Sequence, residues 1–167
     1  MKNLFLGIDN GVTGSIAWIN NKRESNIFKT PIKVQFSYTK KRQKIARLDY
    51  IFIYRKFAEL KDKYNKIFCY LERPMINPVR FKASISAARS LESILIIIEE
   101  LNFSYEYVDS KFWQKCILPS GLKGSSDLKA ASREIGIRLF PEHINEINKI
   151  KDADSILMTK VMMEKSS

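Results

Sequence analysis

Apolar residues along this chain fall either in short dense runs or in spaced sets, and the alternation between the two marks its elements. Leu4 to Ile8 and Ser15 to Ile19 are dense runs of strand formers. Between them Asp9-Asn10-Gly11-Val12-Thr13-Gly14 supplies turn chemistry, with two glycines and an asparagine. Asn20-Asn21-Lys22 is a tight turn and Glu24 to Thr30 a third strand, so the chain opens on an antiparallel three-stranded meander. Pro31 to Lys44 is polar and basic and reads as a loop. From Arg47 to Tyr64, Leu48, Ile51, Phe52, Phe57 and Leu60 recur at helical spacing. Lys66 to Leu71 reads as a buried strand that delivers Glu72 at its end, and two prolines keep Arg73 to Pro78 irregular. Phe81 to Leu101 reads as a long helix, Tyr105 to Val108 as a strand and Lys111 to Cys116 as a short helix. Pro119 to Gly124 is a loop, Ser125 or Ser126 is placed to cap a helix through Leu139, and Asp152 to Met163 is the last helix. Residues 1–167 are thus expected to form one α/β domain, a mixed five-stranded sheet with its meander flanked by helices.

Charge adds a partner to this outline. Lys and Arg number 29 against 18 Asp and Glu, a net charge of +11, which favours a polyanion: nucleic acid or an anionic membrane surface. The longest apolar stretch, Ile94 to Ile98, ends in Glu99 and Glu100 and falls far short of the ~18 residues of a spanning helix. The apolar run at the start is too short for a secretory signal and is interrupted by Asp9. An intracellular, cytoplasmic protein without a membrane partner is expected. Cys69 and Cys116 then read as free thiols, and the lone His143 offers no zinc set.

Four acids stand out in this basic chain because they fall at element ends: Asp9, Glu72, Asp152 and Asp154. Phosphodiester hydrolysis needs a better nucleophile than neutral water and a way to offset charge on the leaving oxygen, and two metal ions ~3.5–4 Å apart supply both. Magnesium prefers oxygen ligands, so carboxylates must converge from separate elements. Asp9 and Glu72 end strands able to lie side by side. Each acid also has a plainer reading: Asp9 as a turn residue, Glu72 as an ion-pair partner of Arg73, and Asp152 and Asp154 as helix-start acids favoured by the helix dipole.

The residues around these acids resemble a known family. Leu6-Gly7-Ile8-Asp9-Asn10-Gly11-Val12-Thr13-Gly14-Ser15 resembles the first-strand motif of the RuvC-like Holliday junction resolvases, within the RNase H-like superfamily. Leu71-Glu72-Arg73-Pro74 resembles their second motif and Asp152-Ala153-Asp154-Ser155-Ile156-Leu157 their third. Pro74 to Pro78, Phe81-Lys82-Ala83 and Lys111-Phe112-Trp113-Gln114 are similar to phage-type members, which implies the cytoplasm of a bacterial cell or of a phage-infected host. The resemblance implies an RNase H-like fold and a homodimeric, magnesium-dependent endonuclease, with Mn2+ able to substitute, that nicks branched DNA at a four-way junction and leaves a 5′-phosphate. It implies that Asp9, Glu72, Asp152 and Asp154 are both catalytic and metal-binding.

The chain departs from the family at one place. RuvC-like proteins often set their last two acids three residues apart, whereas here Lys151 lies three before Asp154 and the available partner is Asp152. Positions two apart diverge on a helix, so both can hold metal only if Asp152 lies in the cap or first turn. Three other readings stay open: another RNase H-like nuclease acting on RNA–DNA hybrid or structured RNA, an inactive branched-DNA-binding module, and an actin-like phosphate loop at Asp9 to Gly14. The last needs a second domain, for which the chain has no room.

Candidate DNA contacts form three groups. The first is Lys40, Lys41, Arg42 and Lys44, with Arg47 beside them; the second is Arg73, Asn77, Arg80 and Lys82, directly after Glu72. Lys111, Lys123 and Ser125 are the third, with Lys115, Lys129 and Ser126 nearby. Met75 or Phe81 can wedge an unstacked base or pack in the core, and Trp113 reads as core. Small residues along the long helix (Ala83, Ser84, Ala87, Ala88) suit either close pairing with a second subunit or packing on the sheet.

Overall fold

The computed structural model describes residues 2–38 and 40–166. Its main sheet has five strands: β1 (Asn3–Ile8), β2 (Ser15–Asn20), β3 (Ser25–Lys29), β6 (Lys66–Glu72) and β7 (Ser104–Val108). They lie in the order β3-β2-β1-β6-β7, with the first three antiparallel and β6 and β7 parallel to β1. The expected mixed sheet and meander are therefore present.

Strand periodicity divides the core into two layers. In β1 and β6, Leu4, Leu6, Ile8, Ile67, Cys69 and Leu71 face one side, where Phe57, Ile94 and Ile98 of helices α1 (Tyr50–Lys63) and α2 (Phe81–Glu100) cover them. The opposite face is covered by α3 (Ser110–Ile117), α4 (Gly124–Leu139), α5 (Ile144–Ile150) and α6 (Asp154–Lys165), with Trp113, Ile135, Ile147 and Ile156 packed on Ala17 and Tyr70. Helix α6 crosses β1 where Gly7 leaves space. A Cβ built on Gly7 would collide with Thr159 Oγ1 and lie 2.6 Å from the Ser155 carbonyl oxygen.

Several expectations need correction. The segment after Pro31 is not a loop: β4 (Ile32–Phe36) pairs antiparallel with β5 (Lys44–Leu48) in a separate two-stranded sheet. That pairing delays the start of α1 to Tyr50, where the Asp49 side chain accepts from the Phe52 N–H at 3.3 Å. Neither Ser125 nor Ser126 caps α4. Lys123 is the cap residue, its N–H bonded to Asp127 Oδ2 at 3.3 Å, and both serines sit inside the first turn. Helix α5 is an addition to the expected elements, and α6 begins at Asp154 instead of Asp152, because Lys151 ends α5 in a left-handed conformation with φ 77°. Among the described residues no helix is long and apolar enough to cross a membrane.

Candidate metal centre

The register of β1 on β6 pairs Ile8 with Leu71, so Asp9 and Glu72 occupy the next equivalent positions at the same sheet edge. Period-two alternation turns both toward the α6 face, on the side of Gly7 and Tyr70. The start of α6 lies over that face. Three contacts hold it there: Ser15 Oγ and Ser155 Oγ share a hydrogen bond at 2.7 Å, Gly7 admits the helix, and Gly136 admits Ala153, whose Cβ occupies the space that a side chain on residue 136 would need.

Asp152 and Asp154 therefore arrive at Asp9. One carboxylate oxygen from each of Asp9, Asp152 and Asp154 lies within 4.8 Å of the other two. Glu72 lies beside Asp9 rather than within that triangle, near enough for its charge to raise the Asp9 carboxyl. The spacing of two between the C-terminal acids is reconciled by the left-handed Lys151. Asp152 precedes the cap residue Ala153 and is not helical, and its Oδ1 turns back to the Asp154 N–H at 3.5 Å.

Three of the acids are fastened by neighbours. The Trp113 Nε1–H donates to Glu72 Oε1 at 3.0 Å, so this fully buried indole is core, as its sequence context suggests, and also orients an acid. Lys129 Nζ pairs with the buried Asp152 Oδ2 at 3.0 Å, with the lysine side chain 56% exposed and the aspartate 2%. Ser132 Oγ accepts from the Ala153 N–H at 3.1 Å and donates to Asp154 Oδ1 at 2.5 Å. Trp113 and Ser132 escape sequence reasoning because they meet their acids only through the fold. Lys129 stands out in the sequence only as one cation among its neighbours.

Crowding shows in the protonation equilibria. Burial pushes the Asp9 carboxyl well above the usual carboxylate range, and the charges of Glu72, Asp154 and Asp152 add to the shift. Asp154 is pushed up to about 7, first by burial and then by Asp152, against the pull of Ser132 and Lys129. The donors are all hard carboxylate oxygens, and Lys129 is the cation among them. Oxygen donors with excess negative charge fit a hard divalent cation such as magnesium.

The basic candidates are distributed around this edge. Lys40, Lys41, Arg42 and Lys44 are exposed at the far end of the β4–β5 hairpin. Arg73, Arg80 and Lys82 are exposed on the segment leaving Glu72, with the Arg73 guanidinium 5.9 Å from the Tyr107 ring centre. Asn77 Oδ1 accepts from the Val79 N–H at 3.0 Å, capping the turn 78–80. Lys111, Lys123 and Ser125 are exposed in or beside the first turns of α3 and α4. Met75 is 80% and Phe81 67% exposed, so neither packs in the core.

No family model matches the chain, and no curated protein matches it. Solved structures do. RuvC of T. thermophilus, in complex with a Holliday junction substrate, shares 9% identity over 98% of this chain and 96% of its own, with a TM-score of 0.51. The Fowlpox virus resolvase, in complex with its substrate Holliday junction DNA, shares 16% over 98% of each chain, with a TM-score of 0.48. At 9% identity the likeness to RuvC is one of fold: the chain has the RuvC-like RNase H fold.

Proposed function

We propose that this protein is a structure-selective endonuclease that resolves four-way and other branched DNA junctions as a homodimer. The observation that carries the reading is the convergence of Asp9, Asp152 and Asp154, with Glu72 against Asp9, at one edge of an otherwise basic molecule. Asp9, Glu72, Asp152 and Asp154 would hold magnesium. When bound there, magnesium, or manganese in its place, supplies the Lewis acidity that makes water nucleophilic and offsets charge on the leaving oxygen.

The chain's own groups do the rest. Trp113 and Lys129 keep Glu72 and Asp152 turned inward. Arg73, Arg80 and Lys82 would take phosphates next to the cut, Lys111, Lys123 and Ser125 those beyond β7, and the 40–44 cluster a more distant arm. Asn77, fixed by its own cap, lines the same approach. Dimerisation is supported by exposed apolar residues on α2, where Phe81, Ile85 and Ile96 are 67%, 41% and 59% exposed. A molecule that sediments only as a monomer while cutting both junction strands would remove that part of the reading.

The test is a magnesium-dependent cleavage assay on four-way, flap, duplex and RNA–DNA hybrid substrates. Cutting of the four-way junction with a 5′-phosphate product is expected. Asp9→Asn should lower the rate by about a hundredfold or more while junction affinity is kept. Cutting confined to the hybrid would favour an RNase H activity, and junction binding without cutting would favour a binding module.

A further inference from the structure

Along β4 of the β4–β5 hairpin the apolar positions are the exposed ones. Ile32, Val34 and Phe36 share one face by strand alternation and are 42%, 62% and 53% exposed, while Lys33 and Gln35 between them are half-buried. Tyr38 continues the alternation and is 95% exposed. A two-stranded ribbon is marginal on its own in water, and turning its apolar side outward gains nothing unless something covers it. The tip is nonetheless built: the Ser37 N–H donates to the Gln43 carbonyl at 2.7 Å, and the Gln43 N–H donates to Ser37 Oγ at 3.2 Å.

Charge identifies what covers it. From Ser25 to Leu48 the sequence holds seven lysines and arginines and no acid. Among the described residues no carboxylate pairs with Lys33, Lys40, Arg42 or Lys44. The Arg42 guanidinium lies 5.0 Å from the Phe36 ring centre, so cation and aromatic face share one surface. The root of the hairpin is at the acid cluster. The Thr30 N–H donates to the Gly14 carbonyl at 3.0 Å, and a Cβ on Gly14 would be 3.1 Å from Asp9 Oδ2. Five residues at ~3.3 Å each carry the tip about 17 Å from that root, roughly five base steps of a strand.

Paired duplex offers phosphates to such an arm but hides its base faces, whereas a branch point exposes them. We infer that the β4–β5 hairpin is a branch-sensing arm, with Tyr38 and Phe36 stacking on bases unpaired near the exchange point while Arg42 and the neighbouring lysines hold the adjoining phosphates. This inference rests on the junction-nuclease reading and adds to it the element that tells branched from continuous DNA.

The experiment uses the full chain with Phe36→Ala and Tyr38→Ala combined, checked for folding by circular dichroism, and four-way junctions carrying 2-aminopurine at successive positions around the exchange point. Wild-type protein should change the fluorescence at one or more positions, and the double variant should not. Junction affinity should drop roughly ten- to hundredfold with duplex affinity nearly unchanged, as expected when base stacking is removed. Tyr38→Trp should retain both signals. Equal affinity and fluorescence in wild type and double variant, with both still cutting, would overturn the arm. So would an equal loss on duplex, which marks a non-selective clamp, or conversion of a dimer to a monomer, which makes a second copy the occupant. If wild-type protein ignores the junction, the nuclease reading fails on its own. The arm then stands or falls on whether the double variant loses affinity for single-stranded DNA.

Discussion

Asp154 carries a pH dependence whose sign can be worked out. Its carboxyl in the folded, metal-free protein titrates at about 7, above the ordinary value of 3.8. The folded state therefore holds a proton through a window where the unfolded chain has released it, and stability falls as pH rises from about 4 to about 7. Asp9 acts in the same direction. Thermal melts of the metal-free protein across that window should show declining midpoints. Magnesium should flatten the decline by binding the folded state alone, and Asp154→Asn should remove much of it. A midpoint that climbs through the window would contradict this assignment.

Trp113 acts at the same scale through one bond. Trp113→Phe removes the Nε1–H from Glu72 and leaves much of the ring volume. Stability should fall by about 1 kcal/mol for the missing hydrogen bond. Cleavage should fall roughly tenfold or more, as for other partners that orient metal ligands, with junction affinity held. An unchanged rate would mean that Glu72 keeps its place unaided. Asp9 and Glu72 are legible in the sequence because they end dense apolar runs, and Asp152 and Asp154 because they open the last helix. Trp113 is not, since it meets Glu72 across 41 residues of chain.

Among the elements, α6 and β1 meet in a close seam at Gly7. Gly7→Ala puts a methyl group against Thr159 Oγ1 and the Ser155 carbonyl. Because the carbonyl belongs to a helix backbone, Thr159→Ala should relieve only part of the strain. A loss of about 1–3 kcal/mol in urea unfolding is expected for the single change, as for other overpacked cores. Full rescue by the second change would show that only the threonine resists.

Element types follow from apolar spacing wherever the spacing is dense. The β4–β5 hairpin is hidden in the sequence although Ile32, Val34 and Phe36 alternate with Lys33 and Gln35 as strand residues do, because the density of lysine suggests solvent. Helix α5 is hidden although Ile144, Ile147 and Ile150 recur at three-residue spacing. The break between α5 and α6 has no local signal: lysine is not a residue that announces a left-handed turn. That break resolves the unusual spacing of the last two acids.

At the scale of the molecule, charge is the property most directly measured. The net charge of +11 predicts binding that weakens steeply with salt. Replacing Lys40, Lys41 and Arg42 together with alanine should reduce the slope of log affinity against log salt by up to about 3, one unit for each phosphate no longer neutralised. Titrations of a four-way junction from low to physiological salt would read it. An unaltered slope would place the DNA path elsewhere on the surface.

The hydroxyl pair joining Ser15 to Ser155, set beside the crossing at Gly7, has a last consequence. Carboxylates that repel one another are mounted on a fully buried crossing, so the cutting edge cannot breathe separately from the whole. Deuterium should enter the amides of Ile8 and Leu157 only through complete opening of the chain, and heat should extinguish cutting and structure at one temperature.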